Sequence, residues 1–191
     1  MAFLETEVIQ MKNSFLGSAL YNEEMRATKL FIGLFLAINL SYDIVYYQIL
    51  PKFMQVYAYD PSVSIISFFS YGLQLLMIFA AILLIKKKKI YTVKYLFFIS
   101  YTIFNIIMEP ILFDELTYSY AGGNIVEIFM VLFSPIFVNK RFFFTVAAGT
   151  IIKYFIVGLL IHSNVVVIPI VLVVILSLIS YLILHRFQGY V

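Results

Sequence analysis

The chain has 191 residues and a net charge of +3; 63% of its residues are hydrophobic and only 12% are charged. A soluble domain carries about 25% charged residues, so this composition excludes a cytosolic globular domain, a disordered chain and a nucleic-acid-binding domain. The absence of cysteine also excludes a disulfide scaffold, a zinc–cysteine site, cysteine catalysis and c-type haem attachment. We therefore predict an integral membrane protein formed by one domain over residues 1–191.

The first 28 residues precede the first long apolar stretch. Apolar residues recur there at helical spacing, at Leu4, Val8, Met11 and Phe15. This pattern predicts a short amphipathic helix on the inner membrane surface, and the alternative is an unstructured tail. The segment lacks the basic start and the cleavage site of a secretory signal. Asn22 is predicted to cap a second helix that leads into the first span.

Six stretches approach or reach the roughly 20 apolar residues that a membrane-spanning helix needs. They are residues 29–50, 62–85, 90–113, 121–138, 142–161 and 165–184. Continuous apolar runs favour helices over the alternating strands of a membrane barrel. The predicted fold class is all-α: a polytopic bundle of six transmembrane helices, with residues 1–28 at the inner surface and residues 185–191 as a cytoplasmic tail.

Turn-forming residues separate these stretches. Pro51 ends the first, Asp60 and Pro61 open the second, and Gly122, Gly123 and Asn124 open the fourth. Because the connections are short, we expect consecutive helices to be antiparallel neighbours. A bend or an end of the helix is expected at Pro110, at Ser134–Pro135 and at Pro169.

The basic residues give the orientation. All lysines and arginines other than Lys52 and Lys153 fall on the side of the N-terminus. The positive-inside rule places that side in the cytoplasm, so we predict a multipass cell-membrane protein with both termini cytoplasmic. The run Lys86–Lys89 is interpreted as a cytoplasmic anchor, with a specific anionic-lipid site as the alternative.

Four ionisable residues lie deep within the predicted spans: Asp43, Glu109, Glu127 and Lys153. At about 1.5 Å per residue, the three acids lie roughly 6–11 Å below the outer edge of their spans, and Lys153 lies near the middle of its own. Each acid has polar neighbours three or four positions away, on its own helical face. These neighbours are Asn39 and Tyr46 beside Asp43, Asn105 beside Glu109, and Asn124 beside Glu127.

Charged groups within spans usually face the bundle interior or a wet cavity. We therefore predict a ligand-binding pocket open toward the outside and formed by these eight residues. Its net acidic charge suits a small cationic or amine-bearing ligand, or protons. In the alternative interpretation, Lys153 pairs with one acid to hold the helices together, and the other acids are protonated or close to the headgroups.

Catalytic motifs are absent from the sequence. It contains no HExxH, no GxSxG and no Walker motif. His162 and His185 fall on opposite sides of the membrane, so they cannot share a metal. Tyr42–Asp43 matches half of an intramembrane aspartyl protease signature, but the partner GxGD element is missing, so no aspartyl dyad can form. No enzymatic activity, cofactor, metal or catalytic residue is predicted.

The sixth span leaves the membrane inward through His185–Val191, and the stretch Ser134–Phe143 reads SPIFVNKRFF. In layout and in these stretches the chain resembles the N-terminal multipass sensory region of bacterial sensor histidine kinases and diguanylate cyclases. The resemblance implies a non-enzymatic receptor that passes a ligand signal to a cytoplasmic output domain or partner protein, commonly as a homodimer. Ligand binding is expected to shift the fifth and sixth spans and to move the exit helix.

A transporter is the alternative function. Six spans with both ends inside are similar to the substrate-binding subunits of energy-coupling-factor vitamin transporters. Those proteins dock their partners through a surface of small residues of the AxxxA type, which is not evident here. Small accessory, immunity or assembly-factor membrane proteins remain a further class. In each of these interpretations the lipid bilayer is a partner of the chain, and no binding to nucleic acid is expected.

Overall fold

The structure is a computed structural model that describes residues 2–49, 61–112 and 124–189; for residues 2–16, 43, 46–48, 61–67 and 112 it describes only the backbone. Six α-helices occur in these ranges: α1 (Ala2–Asp43), α2 (Pro61–Lys86), α3 (Ile90–Leu112), α4 (Ile125–Phe133), α5 (Lys140–Leu160) and α6 (Val167–Gln188). A π-helical segment (Ile44–Ile49) follows α1, a 3₁₀ turn (Ser134–Phe137) follows α4, and another (Asn164–Val166) precedes α6. The described residues contain no strand, which confirms the all-α fold class.

The helices pack around a core rich in phenylalanine. Helix α3 packs against α1, α2 and α5, whereas α4 packs against α1, α5 and α6. Phe31, Phe97, Phe142 and Phe143 are almost completely buried, and Phe31 meets the ring of Phe137 edge-on at 5.3 Å. This packing turns the inner faces of α3, α4 and α5 toward one another.

The outer surface is apolar, as a lipid environment requires. Within the described part of the chain, four stretches are long and apolar enough to cross a membrane by length and composition: Phe68–Lys86, Ile90–Ile111, Lys140–Leu160 and Asn164–Gln188. Large side chains on α2 and α6 point outward, with Phe68 76% exposed and Leu182 69% exposed. Exposed apolar area on this scale is unfavourable in water and suits contact with lipid chains.

The fourth predicted stretch is shorter in the structure than in the sequence analysis. The prediction covered 121–138, but the described helix covers only Ile125–Phe133 and continues as the 3₁₀ turn to Phe137. Pro135 has no amide hydrogen to continue the α-helical pattern, and Val138 then adopts a left-handed conformation with φ 48°. Residues 121–123, including Gly122 and Gly123, lie outside the described residues.

The predicted break at Asn22 is wrong. Helix α1 runs without interruption from Ala2 to Asp43, so Asn22 lies inside a helix and caps nothing. The first predicted span, 29–50, therefore continues a helix that begins well before it. Pro61 does begin α2 and Pro110 lies in the last turn of α3, whereas Pro51 and Asp60 lie outside the described residues.

The short connections between helices contain polar capping residues and residues whose backbone has a left-handed conformation. The side chain of Asn139 accepts a hydrogen bond from the amide of Phe142 at 3.0 Å and so caps α5. At the opposite end of α5, His162 has φ 49°, and the side chain of Ser163 accepts a hydrogen bond from the amide of Val165. Pro169 lies in the first turn of α6, where its missing amide hydrogen costs nothing.

Candidate functional site

A charged cluster lies between three helices and consists of Glu109 on α3, Glu127 on α4 and Lys153 on α5. The Nζ atom of Lys153 lies 2.6 Å from Oε1 of Glu109 and 2.9 Å from Oε2 of Glu127. Lys153 and Glu127 are 0% exposed and Glu109 is 4% exposed. The three helices are therefore joined by one ammonium group that contacts two carboxylates.

The two acids are held differently. Glu109 accepts hydrogen bonds from Lys153 through both carboxylate oxygens. Glu127 is close enough to Lys153 to form an ion pair, but neither of its oxygens accepts a hydrogen bond of regular geometry from the described residues. The ring of Tyr154 lies beneath the ammonium group of Lys153, with its centroid 4.3 Å from Nζ, which adds a cation–π contact. Glu109 is thus the better-stabilised carboxylate.

Local sequence places these side chains. Glu109 precedes Pro110 in the last full turn of α3, and Glu127 lies in the first turn of α4. Asn124 caps α4, since its Oδ1 accepts a hydrogen bond from the amide of Val126 at 3.0 Å. An acidic residue in the first turn of a helix is favoured by the helix dipole. The same cap therefore begins α4 and positions Glu127.

A network of neutral polar groups extends from Asn124 toward α1. The Nδ2 group of Asn124 donates to the hydroxyl of Tyr101 at 3.1 Å and to Oδ1 of Asn105 at 3.2 Å. The hydroxyl of Tyr101 donates to Oδ1 of Asn39 at 3.1 Å. The backbone amide of Asn124 donates to the hydroxyl of Tyr154 at 2.8 Å. Four helices therefore contribute to one buried hydrogen-bonded network.

The structure brings together six of the eight predicted site residues, namely Asn39, Asn105, Glu109, Asn124, Glu127 and Lys153. The side chains of the other two, Asp43 and Tyr46, lie outside the described residues. The six form an enclosed cluster in which Lys153 contacts both acids, so the ion pair between helices is present.

Tyr154 is a member of the site that the sequence did not reveal. Tyrosines in membrane proteins concentrate at the interfaces, so the presence of a tyrosine next to Lys153 does not by itself indicate a site residue. Its position within an apolar span, away from both ends, is the signal that identifies it. Tyr101 lies four positions before Asn105, on the helical face that also carries Glu109.

A second buried ion pair, which the sequence analysis missed, lies near the end of the bundle that carries Lys86–Lys89. The Nζ atom of Lys94 on α3 lies 2.6 Å from Oε1 of Glu24 on α1; Lys94 has no exposed surface and the Glu24 side chain is 10% exposed. The ring centroids of Phe137 and Phe142 lie 4.5 and 5.5 Å from the same ammonium group. We call this site the aromatic cage.

An apolar groove between α1 and α4 lies beside the hydrogen-bonded network. The described side chains that line it are all apolar: Phe31, Phe35, Ile38, Val126, Phe129, Met130 and Phe133. These side chains offer no polar partner for a charged ligand. Among the residues that the structure describes, no group of three or more histidine, cysteine, aspartate or glutamate side chains is arranged to hold a metal ion.

Comparison with known proteins identifies the family. The family model MASE12 matches residues 22–185. The chain belongs to the MASE12 family. MASE domains are membrane-associated sensor regions of bacterial signalling proteins, which confirms the predicted resemblance and the membrane location. Neither a curated protein nor a solved structure matches the chain.

Proposed function

We propose that this MASE12 domain is a sensor that detects a small or cationic ligand at the charged cluster of Glu109, Glu127 and Lys153. The observation that carries the proposal is a buried cluster with two acids and one base, built from three helices of a membrane sensor domain. Ionised side chains within a membrane are costly and tend to be retained for function. A cation that approaches this cluster competes with Lys153 for the two carboxylates.

The packing offers a route for the signal. Lys153 lies on α5, so weaker contact with Glu109 and Glu127 frees α5 to move relative to α3 and α4. Helix α5 packs along α6, and Phe143 on α5 contacts Tyr181 on α6, with ring centroids 6.2 Å apart. We propose that this movement reaches His185–Gln188 and then a cytoplasmic output domain or partner protein. In this proposal the chain acts without catalysis and as a homodimer.

We further propose that six helices cross the membrane, with both termini in the cytoplasm. Because the chain has no cysteine, single cysteines can be introduced without other changes. We expect a membrane-impermeant maleimide to label Asn164→Cys in intact cells and to label Lys87→Cys only after permeabilisation. Both positions are exposed in the structure. Labelling of both positions from the same side would contradict the proposed topology.

The sensor proposal predicts that a cation moves α6. We would place the full chain in lipid nanodiscs, attach spin labels at Lys87→Cys and Gln188→Cys, and supply one cation at a time: protons, by lowering the pH, or sodium, ammonium, polyamines or quaternary amines. At least one cation is expected to change the distance between the labels. Glu109→Gln is expected to abolish the change and Glu23→Gln to preserve it, because Glu23 is exposed, lies outside the charged cluster and pairs with the exposed Arg26.

The result that would overturn the sensor proposal is a distance that no cation changes, or one that changes equally in the Glu109→Gln variant. Uptake of the same cation into sealed vesicles distinguishes the sensor from the transporter alternative. A sensor accumulates nothing inside the vesicle, whereas a transporter does. The sensor assignment is favoured because the family match covers residues 22–185, which include the whole charged cluster.

A further inference from the structure

Among the residues that the structure describes, the charged cluster is not electrically balanced. Two carboxylates face one ammonium group, and the described side chains that surround them are neutral: Asn39, Tyr101, Asn105, Asn124 and Tyr154. On α6, which packs against α4 and α5, the buried side chains are Pro169, Val173, Ser180 and Leu184, none of which ionises near neutral pH. With all three members ionised, the cluster carries one excess negative charge.

An excess charge at this depth is unfavourable. Lys153 and Glu127 have no exposed surface, so water does not solvate them, and a buried charge without a counter-ion is strongly disfavoured. A second cation would remove the imbalance. However, Lys153 already occupies the space between the two carboxylates, at 2.6 Å from Glu109 and 2.9 Å from Glu127. A proton needs no additional space.

The contacts indicate which carboxyl group holds the proton. Glu109 accepts hydrogen bonds from Lys153 through both of its oxygens, and Nδ2 of Asn124 lies 3.5 Å from Oε1 of the same carboxylate. Glu127 receives no regular hydrogen bond from the described residues. The ionised form of Glu109 is therefore stabilised by more contacts than the ionised form of Glu127.

We propose that the charged cluster binds one exchangeable proton, carried by Glu127, and that this proton is the cationic ligand of the domain. The inference rests on the proposed sensor function, for which it names the ligand. In the bound state the cluster contains an ion pair between Lys153 and Glu109 next to a neutral carboxyl group. Release of the proton creates a second carboxylate that competes with Glu109 for the ammonium group. The position of α5 relative to α3 and α4 then depends on the proton.

Infrared difference spectroscopy of the full chain in lipid nanodiscs tests the proposal, because a protonated carboxyl group gives a carbonyl band that a carboxylate lacks. We expect one such band from a buried group, which disappears as the pH is raised. Glu127→Gln and Glu109→Gln are each expected to remove it, since either change leaves Lys153 with a single carboxylate. The matched control Glu23→Gln is expected to retain the band.

Absence of the band at every pH, or its survival in both glutamine variants, would overturn the proton proposal. The spin-label distance separates this failure from failure of the sensor function. A band that titrates normally without any pH-dependent movement of α6 supports the proton site and contradicts the sensor. Movement of α6 in response to another cation, without the band, supports the sensor and contradicts the proton.

Discussion

Replacement of Lys153 by methionine is expected to lower the free energy of unfolding by about 3–5 kcal/mol, the range for breaking a buried ion pair by removing one partner. The variant removes the ammonium group that contacts both Glu109 and Glu127. Methionine has a similar length and fills the same space, so the loss reports on charge rather than on a cavity. Unfolding by SDS in mixed micelles, followed by circular dichroism, measures the difference.

Two comparisons make the Lys153→Met result specific. The exposed Lys140 forms no ion pair with any residue that the structure describes, so Lys140→Met is expected to stay within about 0.5 kcal/mol of the unsubstituted chain. Glu127→Gln is expected to lower the free energy of unfolding much less than Lys153→Met, since it leaves one ammonium group facing one carboxylate.

The loss of stability in Lys153→Met is expected to grow as the pH rises, because unpaired carboxylates are better tolerated when protonated. Equal losses in Lys153→Met and Glu127→Gln would contradict this account.

In the aromatic cage, replacement of Glu24 is expected to lower the free energy of unfolding much more than replacement of Lys94. Glu24→Gln removes the carboxylate that pairs with the fully buried Lys94 ammonium group, and no other described acid pairs with it. We expect a loss of about 3–5 kcal/mol. Lys94→Met leaves Glu24 at the edge of the cage, where it is 10% exposed and can turn toward water. A methionine among Phe137 and Phe142 also gains contacts between sulfur and the rings, so we expect a loss of about 1 kcal/mol.

The same unfolding measurement tests this asymmetry, with the neighbouring Glu23→Gln as the control. Glu23 and Arg26 form an exposed pair, and such pairs contribute little, about 0–1 kcal/mol. The double variant Glu24→Gln with Lys94→Met is expected to be more stable than Glu24→Gln alone, because the unpaired cation has been removed. A double variant that is less stable than both single variants would show that packing, rather than charge, dominates the cage.

The sequence was sufficient to find most of the charged cluster because charges are rare in its apolar helices. Glu109, Glu127 and Lys153 stand out for that reason, and Asn105 and Asn124 share their helical faces. What the sequence did not provide was the pairing. The contact of one lysine with acids from two other helices depends on how α3, α4 and α5 pack, and spacing along a single helix contains no such information.

The aromatic cage, in contrast to the charged cluster, could not be predicted from the sequence. Lys94 follows the run Lys86–Lys89, so in the sequence it reads as one more basic residue that orients the chain. Its partner Glu24 lies 70 positions away, in a segment predicted to rest on the membrane surface. The pairing was missed because it depends on how α1 packs against α3, and neither segment shows that packing by itself.

The shortness of α4 has a mechanical consequence. This helix has nine residues and a length of about 14 Å at 1.5 Å per residue, and the 3₁₀ turn continues it to Phe137. Glu127 lies near one end of this segment and Phe137, a wall of the aromatic cage, lies at the other. The two buried ion pairs are therefore connected through this one short segment, so a substitution that displaces it is expected to perturb both of them.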